Sequence, residues 1–93
     1  MAELRRCIDG IDDQVIALLA ERQRLTDRAP VLKAREGIAA AAPSRVAQVL
    51  GRVRERAVAA GLDADLAEAM WRLQIEAVIR REEAVIGPGG RDG

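Results

Sequence analysis

Three observations predict an all-α fold. Helix-forming residues dominate the chain, β-branched runs are short, and apolar residues recur at helical rather than alternating spacing. The specific expectation is a three-helix subunit with a long first helix, two copies of which intertwine as a helical homodimer. Ninety-three residues make one domain at most. A chain this short buries only about 60–65% of its unfolded surface, so a lone core is marginal. The helical domain is expected over 1–86, followed by a disordered tail over 87–93.

The first helix is predicted over about 3–33. Leu4, Ile8, Ile11, Val15 and Leu18, then Leu25, Ala29 and Leu32, follow one another mostly in steps of four and three, the spacing of a coiled-coil seam. Gly37 and the run from Ile38 to Pro43 form a connection. Ser44 fits the N-cap of a second helix that turns Val46, Val49, Leu50, Val53 and Ala57 inward. Gly61 fits a helix stop, and Asp63 an N-cap for a third helix running to about residue 86. Beyond it, Gly87-Pro88-Gly89-Gly90-Arg91-Asp92-Gly93 has the composition of a disordered end. A first helix of this length is a rod of roughly 46 Å at about 1.5 Å per residue. Two shorter helices cannot cover it, and the economical cover is a second copy of the chain.

Composition narrows the chemistry. There is no histidine, and Cys7 is the sole cysteine, so Ser-His and Cys-His catalysis, an intrachain disulfide and most metal sites are not expected. Neither a metal nor a cofactor is anticipated. An enzyme built from these residues works with carboxylates, arginines, hydroxyls and the single lysine, Lys33. The formal net charge is zero and Trp71 is the only aromatic residue, a poor fit to nucleic-acid binding. No apolar run approaches the roughly 18–20 residues of a membrane span, and no basic-then-apolar stretch opens the chain. A soluble cytoplasmic protein is therefore expected, with no membrane partner.

Charged residues interrupt the apolar stripes at particular points. Arg22 falls on the seam between Leu18 and Leu25. It either snorkels or pairs with a carboxylate such as Glu21, or it marks an anion site inside the bundle. Lys33 lies eleven residues on, a rotation of only about 20° and a rise of about 16 Å in a continuous helix. The space between two such cations suits a small dianion. On the third helix Glu82 shares a face with Trp71, Ile75, Val78 and Ile79; it pairs with a nearby exposed arginine or belongs to the same site. Arg45 opens the second helix, where a cation opposes the helix dipole and is better placed if it meets an anion. Arg5, on the first turn of the first helix, is by itself an ordinary solvated residue.

Together these positions resemble the all-helical (AroQ-type) chorismate mutase family over about residues 3–86. Leu4-Arg5-Arg6-Cys7-Ile8-Asp9-Gly10-Ile11-Asp12 is similar to the family's LRxxIDxID opening, and Ile16-Ala17-Leu18-Leu19-Ala20-Glu21-Arg22 to its LLxLLAER segment. Lys33, Arg45 and the turn Gly61-Leu62-Asp63 stand where the family carries its lysine, its second-helix arginine and its turn. The resemblance implies a cofactor-independent, chorismate mutase-type isomerase. It would catalyse the Claisen rearrangement of chorismate, or of a C4-substituted relative such as 4-amino-4-deoxychorismate, to a prephenate-type product. It further implies that Arg22 holds one substrate carboxylate and that Arg5, from the partner subunit of a homodimer with shared active sites, holds the other. Lys33 would contact the ether oxygen and a carboxylate, and Arg45 and Val78 would line the pocket. Glu82 would occupy the place of the group that hydrogen-bonds the ether oxygen. Such a pericyclic reaction needs folding of the substrate and charge stabilisation rather than a nucleophile, so an inventory without histidine suffices.

Some positions depart from the family. Ala42 and Val46 stand where acidic residues usually help hold the C4 hydroxyl, and Val78 replaces a hydroxyl-bearing residue. The Pro43-Ser44-Arg45-Val46 segment resembles two branches, isochorismate pyruvate lyase, which yields salicylate and pyruvate, and 4-amino-4-deoxychorismate mutase. The lyase reaction is the alternative within the family, and a non-catalytic helical dimer or interaction module the alternative outside it, because fold does not fix function. Pro30, just before Lys33, is expected either to bend the first helix so as to aim Lys33 or to displace that side chain.

Overall fold

The computed structural model describes residues 1–92; Gly93, the last residue of the expected tail, lies outside them. Four helical segments follow one another: α1 (Ala2–Thr26), α2 (Ala29–Glu36), α3 (Pro43–Ala60) and α4 (Ala64–Ile86). The fold is all-α with a long first helix, as the spacing predicts. Among the described residues no strand forms, and no helix is long and apolar enough to cross a membrane.

The long first helix is not continuous to Lys33. It pauses at Asp27 and Arg28 and resumes as α2. Pro30 supplies the reason. It has no N–H to donate to the Thr26 carbonyl, and in an unbroken helix its ring would press on that carbonyl. With the pause in place Pro30 falls in the first turn of α2, where a missing N–H costs nothing, and it is buried. Asp27 and Arg28 themselves keep right-handed helical dihedrals (φ −67° and −83°), so the rod is interrupted rather than turned back. The subunit is accordingly elongated, 51 × 23 × 15 Å.

α3 and α4 form an antiparallel hairpin. Gly61 closes α3 in the left-handed region (φ +75°), and the Leu62 N–H then reaches back to the Ala57 carbonyl at 2.8 Å. Asp63 caps α4 as expected, its carboxylate accepting from the Asp65 and Leu66 amides at 2.9 and 3.2 Å. Near the turn the helices bury small residues, Ala57 and Ala67; further along, Leu50 is buried, with Val46, Val49 and Val53 half-buried on the same face. Arg54 bonds Asp65 at 3.0 Å and lies 3.5 Å from Glu68, tying α3 to α4 at the rim.

α3 does not begin as predicted. Pro43 is its first residue and Ala42 its N-cap, with no capping side chain from the chain nearby. Ser44, expected as the cap, lies inside the first turn, and both its amide and its hydroxyl donate to the Asp92 carboxylate, at 3.0 and 2.8 Å. The segment after α4, read from sequence as a disordered tail, here runs beside the connection between α2 and α3. The Ala39 N–H donates to the Arg91 carbonyl and the Arg91 N–H to the Gly37 carbonyl, each at 2.8 Å. A glycine-rich stretch without apolar anchors gives no sign of this in the sequence, because four of its five hydrogen bonds reach backbone groups of residues 36–44, which carry no side-chain pattern.

α1 buries none of its residues. Leu4, Ile8, Ile11, Val15, Leu18 and Leu25 are each 41–65% exposed. The chain as a whole presents 6876 Å² to solvent, whereas a compact monomer of its mass presents about 5,300 Å². The seam predicted from sequence is thus present and, within one subunit, uncovered.

Candidate active site

A cleft of about 280 Å³ opens where α1, α2, α3 and α4 converge. Arg22, Lys33, Arg45 and Glu82 supply its charged lining, one from each helix. Val46, Val49, Ile75, Val78 and Ile79 make the apolar walls. The interruption at Asp27–Arg28 leaves Arg22 and Lys33 on the same cleft, as the spacing along one helix suggested, because the intervening backbone stays helical.

Lys33 is the most tightly held of these groups. Its Nζ donates to Glu82 Oε2 at 2.6 Å and to the Ala40 carbonyl at 3.0 Å. An ammonium has three donors, so one is left over. Glu82 is only 3% exposed, and its partner is the lysine rather than an exposed arginine. A pair this short is charge-assisted and directional. It fixes the lysine head against α4 and against the wall formed by Ala40 and Ala42, both buried.

Arg22 is held loosely. Its single hydrogen bond runs from Nη1 to Gln74 Oε1 at 3.4 Å, longer than a good N–H···O contact. It does not pair with Glu21, so its guanidinium retains most of its donors for another acceptor. Arg45 donates to Gln48 at 2.7 Å, one turn along α3, and otherwise faces the cleft. With three cations and one carboxylate the lining carries a net charge of three minus one, or plus two, which a dianion would neutralise.

Five of the six predicted residues, Arg22, Lys33, Arg45, Val78 and Glu82, therefore line one cleft. Arg5 does not; it is exposed on the first turn of α1. Two partners escaped the sequence reading. Gln74 does sit on the α4 face shared by Trp71, Ile75, Val78 and Glu82, so a polar residue on that stripe was a usable signal. The Ala40 carbonyl carries no side-chain signal at all. Ala42 and Val46 also line the cleft and leave that wall without an acidic group. Among the described residues no group of three or more His, Cys, Asp or Glu side chains is arranged to hold a metal ion.

A salt bridge outside the cleft ties α4 to the junction of α1 and α2. Arg81 of α4 bonds Asp27 through both oxygens, at 3.0 and 2.7 Å, just where α1 gives way to α2. Hydrogen bonding from Arg81 holds the Asp27 carboxyl below its ordinary value.

Over residues 4–83 the chain matches the family model for chorismate mutase type II. No curated protein matches it significantly.

Proposed function

Because the chain belongs to the chorismate mutase type II family, we propose that its cleft catalyses the Claisen rearrangement of chorismate, or of a C4-substituted relative such as 4-amino-4-deoxychorismate, to a prephenate-type product. The observation that carries this reading is the convergence of Arg22, Lys33, Arg45 and Glu82, one from each helix, on a single cleft. The three cations suit a substrate with two carboxylates, and the apolar walls suit its ring.

In this reading the free guanidinium donors of Arg22 clamp one carboxylate. The spare donor of Lys33 meets the ether oxygen as the C–O bond breaks and negative charge grows there. Glu82 holds the Lys33 head in place beside the ether oxygen through the 2.6 Å pair. Arg45 and Val78 complete the wall. The rearrangement forms a C–C bond as it breaks the C–O bond within one molecule, so no proton, electron or leaving group is exchanged with the protein. A typical lower-end acceleration of about 10⁶ corresponds to about 8 kcal/mol. Three or four charge-assisted hydrogen bonds of roughly 1.5–3 kcal/mol each reach that scale if they strengthen in the transition state. The reading invokes no metal and no cofactor.

The second substrate carboxylate is assigned to Arg5 from a partner subunit. The physical motive is the uncovered seam of α1. An excess of about 1,600 Å² over a compact monomer is more than the roughly 800 Å² that each partner contributes to a standard interface. Two copies joined along α1 would cover the seam and bring each Arg5 toward the other subunit's cleft. A cytoplasmic setting, with no nucleic-acid or membrane partner, fits this reading.

A second reading within the family rests on Ala42, Val46 and Val78. That wall offers no side-chain partner for a C4 hydroxyl, so isochorismate, which carries its hydroxyl elsewhere on the ring, would enter without leaving a group unpaired. The product set would then be salicylate and pyruvate. Offering chorismate, isochorismate and 4-amino-4-deoxychorismate separately, with products identified by NMR, separates the readings. Prephenate or its amino analogue supports the mutase, and salicylate with pyruvate replaces it by the lyase. No product from any of the three leaves a non-catalytic helical module.

A further inference from the structure

The segment following α4 touches the cleft's frame at three points. Arg91 forms a two-hydrogen-bond bridge with the connection, through the Ala39 amide and the Gly37 carbonyl. Its guanidinium also donates to the Glu36 carbonyl at 3.0 Å, at the last turn of α2. Asp92 accepts from the Ser44 amide and hydroxyl at the first turn of α3, supplying the acceptor that Ala42 lacks. One short segment thereby closes the exposed ends of two helices.

Gly90 shows that the approach is close. A Cβ placed on it would lie 2.7 Å from the Ala39 nitrogen, 2.9 Å from the Ile38 carbonyl carbon and 3.0 Å from the Ala39 Cα, all backbone atoms that cannot swing aside. Its φ of +102° also disfavours any L side chain. The connection gripped in this way carries Ala40, whose carbonyl holds Lys33, and leads directly into Arg45.

We propose that residues 87–92 act as a positioning strap, and that Gly90 and Asp92 are positioning residues acting through the 37–44 connection on Lys33 and Arg45. The role in catalysis rests on the reading of the cleft given above; the mechanical role does not. Arg22 lies on α1, outside the strap's reach, so carboxylate binding by Arg22 survives loss of the strap. What suffers is the Lys33 contact that matters as the ether bond breaks. The loss therefore falls on kcat more than on KM.

Lys33 is the only lysine in the chain, so the rate at which an amine-acylating reagent modifies it, resolved from the N-terminus by peptide mass, reports its anchoring without any substrate. Gly90→Ala, Asp92→Ala and the conservative Asp92→Asn are compared with wild type by this rate, by amide hydrogen exchange at Ala39 and Ser44, and by steady-state kinetics. In wild type the two amides should be protected and Lys33 slow to react. Gly90→Ala and Asp92→Ala should release both amides, speed Lys33 acylation and lower kcat, each by about tenfold, the equivalent of one or two net hydrogen bonds. Asp92→Asn, which keeps an acceptor oxygen, should stay near wild type. Should Gly90→Ala not fold, the Asp92 pair decides. Unprotected amides in the wild type, or variants whose amides are released while Lys33 reacts no faster, would overturn the strap. If wild type turns over none of the three candidate substrates, the reading of the cleft fails while the acylation and exchange measurements still decide the strap.

Discussion

Replacing Arg22 by alanine separates a binding group from a structural one. Among the described residues Arg22 makes one hydrogen bond, the 3.4 Å contact to Gln74, and no salt bridge. Its loss should therefore cost the fold about 1 kcal/mol or less, a fall in Tm of no more than about 4–8 °C for a domain of this size. As a carboxylate clamp the same side chain would supply two charge-assisted bonds of roughly 1.5–3 kcal/mol each, so kcat/KM should fall by about 10²–10⁴. Arg22→Lys keeps the charge but not the two-pronged geometry and should recover part of the loss. Thermal unfolding and initial-rate kinetics on the same preparations give both quantities. A kcat/KM within about threefold of wild type, or a Tm that collapses in step with activity, would show that Arg22 is not a carboxylate clamp.

Further tests address the other named groups. Glu82→Ala removes the carboxylate that holds the Lys33 ammonium at 2.6 Å, so kcat should fall by at least about tenfold, the equivalent of one charge-assisted hydrogen bond; a kcat within about threefold of wild type would show that the pair plays no part in turnover. Asp27, held below its ordinary value near 3.8 by Arg81, contributes stability that is present above that value and lost as pH falls through its lowered folded-state value. The Tm difference between wild type and Asp27→Asn should therefore be largest near neutrality and shrink below about pH 4; a difference independent of pH would show the pair to be idle. Ile11→Asp puts a charge on the exposed seam of α1; if two copies join along that seam, wild type should sediment as a dimer and Ile11→Asp as a monomer. If Ile11→Asp sediments as wild type does, the seam is not the contact.

Legibility in the sequence followed the physics of each interaction. The helices were readable because their apolar spacing is a property of neighbouring residues; Pro30 signalled a bend in the first one, but not that it would break at Asp27 and Arg28 into two helices. The cleft was largely readable because Arg22, Lys33, Arg45 and Glu82 each break an apolar pattern. Partners distant in sequence were not. Ser44 looks like a cap for its own helix and instead donates to Asp92, 48 residues away, while the Ala40 carbonyl that steadies Lys33 is a backbone atom. The strap lies in a stretch whose glycines suggest freedom, and only the fold shows that Gly90 is small because the Ile38–Ala39 backbone is close.

The bare surface of α1 also fixes how the protein should respond to heat. An ordinary domain of this length unfolds with a heat-capacity increase of about 1.1–1.4 kcal/mol/K, most of it from hydrating apolar groups. A helix whose apolar residues are already half in water has only about half of that hydration left to gain. The lone subunit should therefore show a shallow stability curve with a broad transition, and a calorimetric increment of ordinary size would measure how much of α1 is covered in solution.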